Sequence, residues 1–180
     1  MDAALRLIAE DGYRSVTVEA VAREAGVTKP VVYSAFDGLD RLLGTLLERQ
    51  QARALLNLFD ALPLDEPGIE PAAFVDRSVR AWIEVVTSDP LTWSPILTAR
   101  QGTPDVVWQR IEQGRDVVRK QLASLIAGRL PEGADPVLMS HALLAMAEHF
   151  GRLLLTDPGT VDVDKLVSTV QAVLGVDKSG

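Results

Sequence analysis

The stretch from Val21 to Phe36, VAREAGVTKPVVYSAF, gathers polar groups that a buried helix has little use for. Thr28, Lys29, Tyr33 and Ser34 are interleaved with Pro30 and Val31. A lysine ammonium meets a guanine edge or a phosphate oxygen. The hydroxyls of Thr28 and Tyr33 donate to phosphate, which sets register without reading sequence. Pro30 and Val31 offer apolar contact to a thymine methyl group. Thr17, upstream, stands where a helix start can turn backbone N–H groups towards an anion. The chemistry is recognition rather than bond-making, and it suits a helix laid in the major groove of DNA. The plainer alternatives are a Tyr33 packed on the core and a Lys29 solvated at the surface.

Bond-making chemistry finds little support. The chain has no cysteine, which excludes disulfides, thiolate metal sites and a cysteine nucleophile. His141 and His149 are eight residues apart, about 12 Å along a helix, too far to share a metal. Neither an HExxH motif nor a nucleophile–base pair accompanies them. No metal and no cofactor is expected. His141, Glu148, His149 and Arg152 read as hydrogen-bonded structure before ligand contacts. Arg100 and Arg115 read as surface ion pairs before anchors for an anionic ligand.

The elements that must position the recognition segment are helical. Gly26 supplies the positive φ of a tight turn. Ala22 is small where two helices would cross, Val21, Val27 and Val32 are expected to close the wedge between them, and Ala25 and Ala35 are expected on the same inner side. The helices are predicted at about Asp2–Asp11, Val18–Ala25 and Lys29–Ala35, with Thr17 and Thr28 as N-caps. A fourth starts after Asp37, carrying Leu39, Leu42, Leu43, Leu46 and Leu47. Its apolar stripe thins across ERQQAR (48–53) and resumes at Leu55. The loop LPLDEPGIEP (62–71) follows, then helical patterns ending before Pro90, around 91–100 with Pro95 as a breaker, and across 104–130. After PEGADP (131–136), an almost wholly apolar helix covers 137–155 and a last one carries Val163 to Leu174. No stretch alternates with period two, so the fold class is all-α.

Composition agrees. The 180 residues are 47% hydrophobic and 24% charged, which is globular. No apolar run is long enough for a membrane span, and the N-terminus lacks a secretory pattern. A soluble cytoplasmic protein with no membrane partner is expected. The net charge of −7 argues against a uniformly basic nucleic-acid binder but leaves room for a local reading element.

SVTVEAVAREAGVTKPVVYSAFDGLDRLLGTLLE resembles the DNA-binding domain of the TetR/AcrR family of bacterial transcriptional regulators. Gly12-Tyr13, Thr17, Val21-Ala22, Ala25-Gly26-Val27, Tyr33, Phe36 and the leucine-rich fourth helix carry the likeness. It implies a helix-turn-helix domain over 1–47 and a helical ligand-binding and dimerisation domain over 48–180. It also implies a homodimer through the last two helices, a palindromic double-stranded DNA operator, and a small-molecule effector that releases it. The DNA-binding residues expected on this basis are Thr17, Thr28, Lys29, Pro30, Val31, Tyr33 and Ser34. The resemblance implies no enzyme. Leu39 departs from the lysine usual near the start of helix four, and the family's basic N-terminal arm is not seen. Residues 1–47 carry five cations against seven acids, a net of −2. Few phosphate contacts, modest affinity and a shallow salt slope are expected.

A largely apolar effector site belongs in the helical body. Trp82, Trp93 and Trp108 are candidate lining residues. Phe74, Met139, Met146 and Phe150 serve the core first and a pocket second. A dimer that keeps the head but has lost specific DNA binding, and binds a small molecule or a protein instead, is the alternative function.

Overall fold

In a computed structural model, the structure describes residues 1–64, 66, 68–99, 103–128, 130 and 132–176. Arg100 and parts of the loops at 62–71 and 131–136 lie outside the described residues. Among those described there is no strand, and nine α-helices follow in order. These are α1 (Asp2–Asp11), α2 (Val18–Glu24), α3 (Lys29–Phe36), α4 (Leu39–Ala61) and α5 (Pro71–Ser88). Then come α6 (Pro90–Leu97), α7 (Asp105–Ile126), α8 (Pro136–Thr156) and α9 (Val163–Leu174). The all-α reading holds. The thinning at 48–53 does not interrupt α4, because Gln50 and Gln51 are good helix formers that bond to other elements. Pro95 lies inside α6 rather than ending it.

The chain divides into two compact units. The first joins Met1–Ala54 to Asp89–Gly114, so α6 and the first part of α7 belong with the N-terminal helices. Its core packs Leu5 and Ile8 of α1 and Val21 of α2 against Leu42, Leu43, Leu46 and Leu47 of α4, with Val107 and Ile111 of α7. The four leucines and Ile8 are at most 1% exposed. Each such side chain contributes about 1.5–3 kcal/mol through burial.

Polar side chains lock helices within this unit. Proline has no backbone N–H, so Pro95 leaves the Leu91 carbonyl of α6 without its helical donor. Gln50, only 2% exposed, donates its Nε2 to that carbonyl at 3.2 Å. Tyr13, buried in the 3-10 turn Tyr13–Ser15, donates its hydroxyl to the Pro95 carbonyl at 2.7 Å. Gln51 donates Nε2 to the Arg110 carbonyl of α7 at 3.0 Å. It lies over Gly114, where an added Cβ would stand 2.5 Å from that nitrogen.

The second unit holds Leu55–Ser88 and the chain from Arg115 onward. Helix α5 packs on α8 and α9. Gln171 of α9 donates to the Ala72 carbonyl at 2.9 Å, and Arg80 of α5 pairs with Asp164 at 2.5 Å. Arg115 is not a free anion anchor: it forms a two-pronged pair with Glu148, at 2.6 and 3.0 Å. Asp135 and Asp162 cap α8 and α9, accepting from Leu138 and Lys165 N–H groups among others. No helix of the described residues is long and apolar enough to cross a membrane.

Candidate nucleic-acid interface

The turn between α2 and α3 is built by backbone geometry. Gly26 takes φ 66°, the left-handed region. The Val27 N–H then reaches the Ala22 carbonyl at 2.9 Å and the Gly26 N–H reaches the Arg23 carbonyl at 3.2 Å. These two bonds are the Schellman arrangement that closes a helix C-terminus. Upstream, Thr17 Oγ1 accepts from the Ala20 N–H at 3.0 Å and starts α2. Thr28 occupies the N-cap position of α3, but its side chain makes no capping bond. Its hydroxyl is left for other partners.

Only Val32 of α3 is fully buried, with Phe36 partly buried one turn on. Val21 and Ala22 are buried as expected, but Ala25, Val27 and Ala35 are exposed. The wedge is narrower than the sequence suggested. The Schellman turn swings Val27 outward, and an eight-residue helix seated through positions 32 and 36 puts residue 35 beside the contact rather than in it. The rest of α3 is a continuous outer face. Thr28, Lys29, Pro30, Val31, Tyr33 and Ser34 are all exposed, Tyr33 by 54% and Val31 by 49%. Tyr33 therefore does not pack on the core. Ser34 Oγ donates to the Val31 carbonyl at 3.1 Å.

The electrostatics of this face are largely internal. Lys29 Nζ lies 2.5 Å from Glu19 Oε1, both more than half exposed. The ammonium holds the Glu19 carboxyl below its usual range, and a backbone N–H bond assists. Arg6 pairs with Glu24 at 2.7 Å and Arg49 with Asp2 at 2.8 Å, which lowers the Asp2 carboxyl. Sequence reading missed the Glu19–Lys29 pair, because ten residues and a turn separate the partners. It also missed Gln50, although a signal existed: a glutamine stands in the row of Leu43, Leu46, Leu47 and Ala54.

The expected effector-site residues fall in both units. Phe74 is buried and lines a small apolar cavity of about 40 Å³, with Pro71, Val75, Ile126, Leu130, Leu174 and Val176. None of the other six candidates lines it. Trp82, Met139, Met146 and Phe150 are half-buried in the same unit, and Phe150 meets the His149 ring edge-on at 5.3 Å. Trp93 and Trp108 belong to the first unit. Trp93 is 7% exposed, and its indole N–H has no partner among the described residues. Among the described residues, no group of histidines and carboxylates could hold a metal ion.

Residues 1–45 match the family model of bacterial regulatory proteins, tetR family. No curated protein matches the chain. Solved structures resemble nearly the whole of it. A TetR-like transcriptional regulator from Rhodococcus sp. RHA1 is 20% identical with a TM-score of 0.74, covering 97% of this chain and 90% of that one. The fatty acid degradation regulator FadR from Bacillus halodurans is 17% identical with a TM-score of 0.75, covering 99% and 93%. The regulator FadR from Bacillus subtilis, solved in complex with stearoyl-CoA, is 19% identical with a TM-score of 0.70, covering 99% and 97%. Residues 1–45 thus match the head of the tetR family of regulators, and nearly the whole chain shares the all-helical fold of these solved structures.

Proposed function

We infer that this regulator reads a palindromic operator as a homodimer, represses, and is released by a small, largely apolar molecule. The observation that carries the reading is the outer face of α3. A short helix that buries Val32 and presents Lys29, Pro30, Val31, Tyr33 and Ser34 together has the residue types that contact base edges and phosphates. Thr17 and Thr28, at the two helix starts, take phosphate. The dimer reading rests on α8, where Leu138 is 69% exposed and Ala142, Ala145 and His149 continue the same exposed row, with Val173 exposed on α9. Such a row is covered when two copies meet. The apolar effector is supported by the stearoyl-CoA bound to the Bacillus subtilis regulator and by the apolar walls around Phe74, whose space of about 40 Å³ must widen to admit a ligand.

The test is fluorescence anisotropy of labelled duplexes from the flanking intergenic region, at two salt concentrations, with sedimentation to report oligomeric state. Specific binding by a dimer, lost on Tyr33→Ala, is the expected result. A monomer, or no specific complex at low salt, overturns it. A second reading keeps the head fold in a dimer that no longer binds specific DNA. The net −2 of residues 1–47 and the occupied lysine favour it. Sequence-specific binding by the wild-type chain would exclude that reading.

A further inference from the structure

The recognition helix has one lysine, and that lysine is already engaged. Lys29 Nζ lies 2.5 Å from Glu19 Oε1, across the turn that joins α2 to α3. Its own backbone N–H assists Lys29 in holding the Glu19 carboxyl below its usual range. An ammonium has three N–H donors, of which Glu19 takes one and leaves two. What approaches next decides whether the pair survives.

A phosphate brings a second anion to the same ammonium, and its charge is repelled by Glu19. A guanine edge brings two neutral acceptors, O6 and N7, which the two spare N–H groups can meet while the ion pair stays closed. The cytosine opposite presents an amino donor beside O6, and a carboxylate accepts from that amino group. The pair therefore offers a donor and an acceptor side by side, complementary to a G·C edge and opposed to a phosphate.

We propose that Glu19 is a specificity-determining residue: paired with Lys29, it withholds the lysine from phosphates and directs it to a G·C pair. This rests on the DNA-reading assignment above. The role is a subtraction. Glu19 lowers binding to DNA of any sequence more than it lowers binding to the operator, so it raises the ratio between them. An acidic head then reflects selectivity rather than lost function.

The experiment uses the full-length protein and its Glu19→Gln, Lys29→Met, Glu24→Gln and double Glu19→Gln/Lys29→Met variants. The probes are a duplex of random sequence and the duplexes that wild-type protein recovers from a random pool. Dissociation constants are measured across a salt series. Glu19→Gln should bind the random duplex about two- to five-fold more tightly, the range set by an exposed ion pair. Its salt dependence should steepen by about 0.9 in log–log slope, one added phosphate contact. Its recovered pool should show a weaker G·C preference. In the Lys29→Met background the same change should do neither. Glu24 pairs with Arg6 rather than Lys29, so Glu24→Gln should leave the slope unaltered.

An unchanged slope in Glu19→Gln, or an equal gain in Glu24→Gln or in the Lys29→Met background, overturns the proposal and leaves DNA binding standing. Failure of wild type and every variant to bind any duplex at low salt removes both together.

Discussion

Replacing Tyr13 by phenylalanine deletes one hydroxyl and keeps the ring. Tyr13 is 6% exposed, and its hydroxyl donates to the Pro95 carbonyl at 2.7 Å. The net value of such a bond is about 1 kcal/mol, and a carbonyl left dry without its donor costs about 1–3 kcal/mol. Pro95 is among the fully buried side chains of the chain, so water does not readily replace the lost donor. Tyr13→Phe should thus destabilise by about 1–2 kcal/mol, which in a chain of this length lowers Tm by about 3–6 °C. Burial raises the phenol above its ordinary pKa, so the neutral donor persists through alkaline solution. The sign follows: the contribution is complete below about pH 10, the ordinary tyrosine value, and is lost only as pH climbs beyond it. Thermal unfolding of wild type and variant by circular dichroism, between pH 6 and 9, reads both claims. A Tm difference below about 1 °C, or one that already shrinks between pH 6 and 9, refutes the reasoning.

Gly26→Ala should destabilise by about 1–2 kcal/mol through left-handed strain alone, since an added Cβ meets nothing within 4 Å; urea unfolding measures it. Gly114→Ala sets two effects of about 1 kcal/mol against each other, the helix propensity gained and the Gln51–Arg110 bond lost. The single variant should therefore be near neutral, and Gln51→Ala/Gly114→Ala should be more stable than Gln51→Ala alone. Asp162 caps α9 with its carboxyl held low, chiefly by the Lys165 N–H. A depressed carboxyl adds stability above its unfolded pKa, so this cap should weaken on acidification below about pH 4. The loss should be absent in Asp162→Asn, as helical ellipticity between pH 5 and 2.5 would report.

The helices were legible because their signals are local. Thr17, Gly26 and the leucine rows act within one or two turns of the chain, and the predicted α1 agrees with the observed Asp2–Asp11. The outer face of α3 was legible for the same reason: polar groups repeated at helical spacing with nothing of their own to bury. What the chain hides are partners brought from afar. ERQQAR looked like a gap in an apolar stripe, yet Gln50 and Gln51 are donors to carbonyls 41 and 59 residues away. The Glu19–Lys29 pair depends on the angle between two helices, which no single-strand pattern encodes. The effector-site candidates were chosen by residue type alone, and of them Phe74 lines the small apolar cavity of the second unit. An aromatic fits a core and a pocket equally well, so residue type alone does not separate the two.

Pro95 gives α6 an index mark. A helix held by greasy contacts alone can creep along its axis, since one apolar neighbour is much like the next. Here the two carbonyls at positions 91 and 95 are gripped by donors from α4 and from the turn after α1. A slip of one residue moves an atom by 1.5 Å and rotates it by about 100°, which carries both carbonyls beyond hydrogen-bond reach. Helix α6 therefore has one seat and no neighbouring notch. A push on it is not absorbed as sliding. It is handed to the base of α1 and the middle of α4 as displacement of a single rigid piece.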